Sequence, residues 1–274
     1  MSSDTPKIIG IQTCKGRLEH VKQTSTTFLE STASTPNVHH LLVDYGCPEK
    51  TGEWVKETHG PCGRSDAFIM NPNTTQFHKT IALNAGARYA IGAMNADYLL
   101  FFDADTFVYD GFIEKITPLL NPERFIFVEP MDVTKDLTGL LILHQQLFRR
   151  SGGFEESFRN WGAEDLEYRL RLYAKHNAVF DLIDGEFLGS IPHSNDLRTQ
   201  FYTEKNVDLS NVKNVQRMRK MFALYRNEDL NQWRKLKDAY ELTKLLMLGP
   251  LDPIPDPSIS NSAKNGRGRL RSRP

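Results

Sequence analysis

Tyr98-Leu99-Leu100-Phe101-Phe102-Asp103-Ala104-Asp105-Thr106 is the stretch on which the reading of this chain turns: an apolar strand that ends in two carboxylates two residues apart. Side chains at i and i+2 of a strand point the same way, so Asp103 and Asp105 are expected to converge on one hard divalent cation. A cation held there can bind a diphosphate. The plain alternative is a capped turn that closes the strand.

Outward from this strand, short β-rich runs alternate with segments of helical spacing. The expected strands are 7–14, 38–45, 98–103, 124–129, 139–143 and 179–183. The expected helices are 18–31, 52–59, 75–91, 109–120 and 164–175. Such alternation predicts an α/β domain with a mixed, mostly parallel sheet flanked by helices. Ligands of these sheets sit beyond the carboxyl ends of the strands, which is where Asp103 and Asp105 lie. From Asn206 to Leu248 the pattern is helical, with Val212, Val215, Met218, Phe222 and Tyr225 three or four residues apart and Lys and Arg between them. The sequence therefore divides into an α/β domain over 1–205, a helical extension packed on it over 206–250, and a tail over 251–274 that is Pro-rich and then basic. The tail has too little to bury to fold by itself.

With 34 basic and 34 acidic residues the formal net charge is zero, which removes bulk attraction to nucleic acid or to an anionic membrane as a first explanation of function. A length of 274 residues suffices to bury a core without staples. Cys14, Cys47 and Cys62 are odd in number and lack ligand-like spacing, which argues against a disulfide framework and a structural zinc site. Met1 to Lys7 has no basic patch followed by an apolar core, and no run is long enough to span a bilayer. The expectation is a cytoplasmic protein without a transmembrane segment.

A second constellation runs Gly152-Gly153-Phe154, then Asn160-Trp161-Gly162-Ala163-Glu164-Asp165-Leu166. The apolar positions Leu166, Leu170, Tyr173 and Ala174 place Glu164 and Asp165 in the first turn of a helix, where the dipole keeps a carboxylate ionised, as a general base must be. Two acids at a helix start are also ordinary capping.

Taken together, Asp103-Ala104-Asp105, Gly153-Phe154 and Trp161-Gly162-Ala163-Glu164-Asp165 resemble the metal-dependent GT-A glycosyltransferases, in particular the β-1,4-galactosyltransferase group and bacterial chondroitin-polymerase-like domains. Further pieces follow in the same order. Thr13 and Arg17 resemble the opening nucleotide-binding strand, and Val43-Asp44-Tyr45-Gly46 resembles the segment that reads uracil. Phe77 to Gly86, with Lys79 and Asn84, resembles the group's phosphate-binding helix, and Ile191-Pro192-His193 falls where these enzymes place a metal-ligating His. Ala163 stands where the group usually has Gly, and Lys79 where it has Arg.

The resemblance implies a Rossmann-like nucleotide-diphospho-sugar transferase fold and an inverting transfer from a UDP-sugar to an acceptor hydroxyl. Asp103, Asp105 and His193 would hold Mn²⁺ or Mg²⁺, Asp165 would be the base, and Glu164 would orient the acceptor. Thr13, Arg17, Asp44, Lys79, Asn84, Asp103, Ala104, Trp161 and Gly162 would bind the donor, with the Trp161 ring stacking on a sugar. The acceptor classes left open are a glycan, a lipid-linked sugar, a protein side chain and a modified nucleic acid. Two other readings stand beside this one: a haloacid-dehalogenase-like phosphohydrolase, which also places two aspartates after an apolar strand, and a non-catalytic nucleotide-sugar-binding module.

Overall fold

A computed structural model describes residues 5–128 and 137–228 of the chain. In chain order the elements are β1 (Ile8–Cys14), α1 (Leu18–Ser31), β2 (Val38–Tyr45), α2 (Thr51–Thr58), β3 (Ser65–Met70), α3 (Lys79–Gly92), β4 (Tyr98–Asp103), β5 (Thr106–Val108), α4 (Phe112–Ile116), β6 (Arg124–Val128), β7 (Leu141–His144), α5 (Gln145–Ser151), α6 (Glu164–His176), β8 (Val179–Ile183), β9 (Leu188–Ser190), α7 (Asn195–Thr199) and α8 (Val207–Glu228). Seven strands form one sheet in the order β3-β2-β1-β4-β7-β6-β8. Only β7 runs against its neighbours; the other pairings are parallel. The mixed, mostly parallel sheet flanked by helices is the architecture the alternating pattern predicts.

Two apolar layers enclose the sheet, as both faces of a parallel sheet require. On one side Ile9, Ile11, Leu41, Val43, Leu99 and Phe101 pack against Ala82, Leu83, Ala87 and Ala90 of α3. On the other, Phe28 of α1 stacks on Phe102 of β4 at 5.2 Å, beside Phe112, Ile113 and Ile116 of α4. The small residues of α3 let it lie close to the sheet, and this brings Lys79, its first residue, over the carboxyl end of β4.

Three strands escape the sequence pattern. The edge strand β3 is half-buried at five of its six residues, and its apolar run is only the four residues Ala67 to Met70 after Ser65 and Asp66. The pair β5 and β9 is three residues long in each strand and forms a separate antiparallel sheet. The helix expected over 75–91 begins at Lys79, and that expected over 109–120 shortens to α4 followed by one 3₁₀ turn.

Along α8, Val215, Met218 and Phe222 pack against Phe158, Leu170 and Ala174. Val212, assigned to the same stripe from spacing, is instead 52% exposed. The rest of the expected helical extension and the basic tail, beyond Glu228, lie outside the described residues. Among the described residues no helix is long and apolar enough to cross a membrane.

The α3–sheet approach makes a test of the packing. A Cβ on Gly86 would stand 2.5 Å from Val43 Cγ2 and 2.9 Å from Ile11 Cγ2. Gly86→Val is expected to lower the free energy of unfolding in urea by about 1–3 kcal/mol. Gly92→Ala, where nothing lies within 4 Å, is expected to leave it unchanged or raise it by up to about 1 kcal/mol.

Candidate active site

The strand β4 ends at Asp103, and the chain then turns through Ala104 and Asp105 before β5 begins. Strand alternation therefore does not carry across the pair, and the two carboxylates have different partners. Asp103 faces the Lys79 ammonium at 2.9 Å, while Asp105 Oδ2 lies 2.5 Å from His193 Nε2. Room for the Asp103 side chain depends on Gly139, in the turn before β7: a Cβ there would sit 2.2 Å from Asp103 Oδ2.

A buried polar chain holds this turn from behind. Gln12 Nε2 donates to the Asp103 carbonyl at 3.2 Å and to Thr24 Oγ1 at 3.0 Å, and Thr24 Oγ1 donates to the Ala104 carbonyl at 2.9 Å. Gln12 Oε1 meets His40 Nε2 at 3.0 Å, and His40 Nδ1 meets Ser65 Oγ at 3.0 Å. With its amide nitrogen committed to acceptors, Gln12 presents only an oxygen to His40. The imidazole therefore carries its proton on Nε2 and accepts from Ser65. Burial pushes the His40 pKa down to about 3, which keeps the ring neutral in that role.

Lys79 is also 3.1 Å from Glu164 and 3.8 Å from Asp165, so one buried ammonium touches carboxylates from β4 and from the start of α6. Burial alone would lower the Lys79 pKa, but Asp103, Asp165 and Glu164 together hold it well above the ordinary lysine value. Burial raises the Asp165 carboxyl to about 7, against the downward pull of Lys79. Burial likewise works to raise Asp105, and the His193 contact more than offsets it, leaving Asp105 below the usual carboxylate range.

The α6 start is reached through Ala163, which adopts the left-handed conformation at φ +66°. An L-residue in that conformation costs about 1–2 kcal/mol. The preceding loop is fastened to α8. Ser210 Oγ accepts from Trp161 N at 2.9 Å and donates to Trp161 O at 2.7 Å, and Asn214 Nδ2 donates to the carbonyls of Arg159 and Gly162 at 2.9 Å each. The helical extension thus helps position Trp161 and the acids that follow it.

Two clefts meet at Lys79, Asp103 and Trp161. The first encloses about 670 Å³, open mouth included, and is lined by Thr13, Lys15, Arg17, Ala104, Asp105 and His193 together with Phe77, Leu197, Arg198, Phe201 and Tyr202. The second, of about 730 Å³, is lined by Gly162, Glu164, Asp165, Leu166, Arg169 and Val215 among others. Among the described residues no three of His, Cys, Asp and Glu converge as a ready metal cage. The Asp105–His193 pair, one carboxylate and one imidazole at the cleft wall, suits a divalent ion that takes its remaining ligands from substrate and water.

Two residues expected to bind the donor, Asp44 and Asn84, line neither of these clefts. Asp44 is 1% exposed, and its two carboxylate oxygens accept from the N–H groups of Cys47 (2.6 Å) and Gly52 (2.7 Å), so it shapes the turn between β2 and α2. Asn84 is buried and clamps Phe154, donating to its carbonyl and accepting from its N–H at 2.8 Å each. Arg17 does line the first cleft, with Nη2 on the Leu197 carbonyl at 2.8 Å. Cys14 and Cys47 are free thiols whose sulfurs are 3.2 Å apart. The sequence reading missed Lys15, Arg198, Phe201 and Tyr202, which the topology brings to the cleft from both ends of the domain. It also missed Arg169, which lies one helical turn after Asp165 and was legible from that i, i+4 spacing.

The chain shares this architecture with solved glycosyltransferases. A crystal structure of S. aureus TarS 1–349 in complex with UDP-GlcNAc superposes with a TM-score of 0.62 at 12% identity, covering 88% of this chain and 73% of that one. The mannosyltransferase PcManGT from Pyrobaculum calidifontis, in complex with GDP-Man and Mn²⁺, gives 0.56 at 14% identity, covering 91% and 77%. These likenesses show a GT-A-like fold. No curated protein matches the sequence. The model of glycosyl transferase family 2 matches residues 13–182, more than half of the chain, and the chain belongs to that family.

Proposed function

We propose that this member of the family is an inverting, metal-dependent glycosyltransferase of the galactosyltransferase-like group, moving a hexose from a UDP-sugar to an acceptor hydroxyl. The observation that carries the reading is the meeting of the two clefts. The Asp105–His193 pair lines one, Asp165 lines the other, and Lys79, Asp103 and Trp161 belong to both. A donor in the first cleft and an acceptor in the second would put the reacting carbon at their junction, with leaving group and base on opposite sides.

In this reading Asp105 and His193 hold Mn²⁺ or Mg²⁺, which when bound supplies a Lewis acid for the departing diphosphate. Thr13 and Arg17 hold the donor. Asp165 takes the proton from the acceptor oxygen as that oxygen attacks from the face opposite UDP, which inverts the anomeric centre. Lys79 offsets the negative charge of Asp103, Glu164 and Asp165 and favours the ionised form of Asp165. Trp161, with Arg198 5.0 Å over its ring, offers a flat face to a sugar. The acceptor is a hydroxyl of a glycan, a lipid-linked sugar, a protein or a modified nucleic acid, and the protein acts in the cytoplasm.

UDP release from a panel of UDP-sugars, with Mn²⁺ and then with EDTA, tests the reaction class. Release is expected with Mn²⁺ and is lost with EDTA; equal rates in both would overturn the metal role. Asp165→Asn is expected to cut kcat by 10²-fold or more, the order of general acid–base contributions, while calorimetric UDP affinity stays within about twofold. Because Asp165 works as a base only when ionised, kcat should rise with pH through about 7. In Lys79→Met the lost cation removes the pull that lowers Asp165, so the acid limb of the profile should move to higher pH. A limb that stays in place or moves down would show that Asp165 is not the group being titrated.

A further inference from the structure

Lys15, the residue after β1, is a buried cation whose role the catalytic reading leaves open. It is 8% exposed, and its Nζ donates to the carbonyls of Tyr45 at 2.9 Å and Gly46 at 3.0 Å, at the end of β2. An ammonium has three N–H donors and no acceptor. Two are spent on these carbonyls, and no ion pair with a described carboxylate takes the third. A buried ammonium without a counter-charge is costly unless another oxygen completes its shell. Lys15 lines the first cleft, so a bound ligand can supply that oxygen.

The surroundings say which part of a nucleotide sugar this would be. Lys15 Nζ stands 5.5 Å from the Phe201 ring and 5.7 Å from the Tyr45 ring. Phe77 joins the same group, 5.7 Å from Tyr45 and 6.0 Å from Tyr202, and its N–H donates to the Phe201 carbonyl at 2.8 Å. The charged groups form a second set: Asp105 with His193, His20 6.0 Å from His193, and Arg17 on the Leu197 carbonyl. Of the residues that line the cleft, Phe77, Phe201 and Tyr202 therefore group with Lys15, backed by the buried Tyr45, while Arg17, Asp105 and His193 form a charged part. A flat base suits the first and a diphosphate the second.

We infer that Lys15 donates its third N–H to a keto oxygen of the donor's nucleobase and so selects a keto-bearing base such as uracil. The inference rests on the nucleotide-sugar reading above and deepens it. Its two carbonyl bonds to the β2 turn hold the ammonium in place before the nucleotide arrives, which fits a residue that discriminates rather than one that swings in.

The test is calorimetric or NMR-detected binding of UDP, uridine, 2-thiouridine and 4-thiouridine to wild type and Lys15→Met. Sulfur is a poor acceptor, so wild type is expected to bind one of the two thio analogues about tenfold more weakly than uridine, and the weakened analogue identifies the oxygen. Lys15→Met is expected to bind uridine about tenfold more weakly than wild type and to lose the preference for uridine over that analogue. A uniform loss for all four ligands would mark Lys15 as purely structural, and a loss for UDP alone would mark a phosphate contact. Either result overturns the inference, as does unchanged binding. Wild type that binds UDP but does not separate uridine from either analogue overturns the inference alone. Wild type that binds none of the four overturns the UDP-sugar reading with it.

Discussion

The site depends on one ammonium. Lys79 stands within 4 Å of Asp103, Glu164 and Asp165, which come from two elements separated by some sixty residues. At an effective dielectric near 20, unit charges 4 Å apart interact by about 4 kcal/mol, so three carboxylates could not be drawn this close without a cation among them. The lysine is carried there by α3, whose Ala and Gly residues allow the helix to settle onto β1, β2 and β4. Its place at a helix start is unfavourable for a cation, because the dipole there is positive. The three acids outweigh that penalty.

Several local irregularities follow from this arrangement. Gly139 is needed because the antiparallel β7 brings its turn against the Asp103 carboxylate. Ala163 takes a left-handed conformation so that α6 begins with Glu164 and Asp165 turned toward Lys79. The Gln12, Thr24, His40 and Ser65 chain fixes the carbonyls of Asp103 and Ala104 from within the sheet, so the turn cannot rotate to relieve the crowding in front. Strain of this kind persists only where surrounding structure over-determines it.

How much of this was legible depended on how local the cause was. The strands β1, β2, β4 and β8 and the helix α1 declare themselves as runs of apolar residues or as one buried helical stripe. The edge strand β3 does not, although Ala67 to Met70 is apolar, because the run is short and follows the polar pair Ser65-Asp66. The place of Glu164 and Asp165 at the start of α6 was legible from helix spacing, whereas His193, which lies beside Asp105, was singled out only by its order within the resemblance. The turn that Asp44 closes through its bond to the Cys47 N–H three residues on is local and of the kind that Asp commonly makes, so that part of its role was legible in the sequence. Lys15, Phe201 and Tyr202 gave no signal, since a buried cation and two aromatics acquire meaning only when residues nearly two hundred positions apart share a wall.

The division of Asp103 from Asp105 also bears on the two sides of the proposed reaction. If both carboxylates faced one cation, the strand end would serve the donor alone. With the turn at Ala104, Asp105 pairs with an imidazole and stays low in pKa, fit to hold a metal, whereas Asp103 joins the lysine that bears on Asp165. The leaving-group side and the proton-accepting side of the proposed reaction are then linked through a single backbone turn and a single ammonium. A displacement of that turn would disturb both together, which is reason enough for the buried Gln12 and Thr24 bonds behind it.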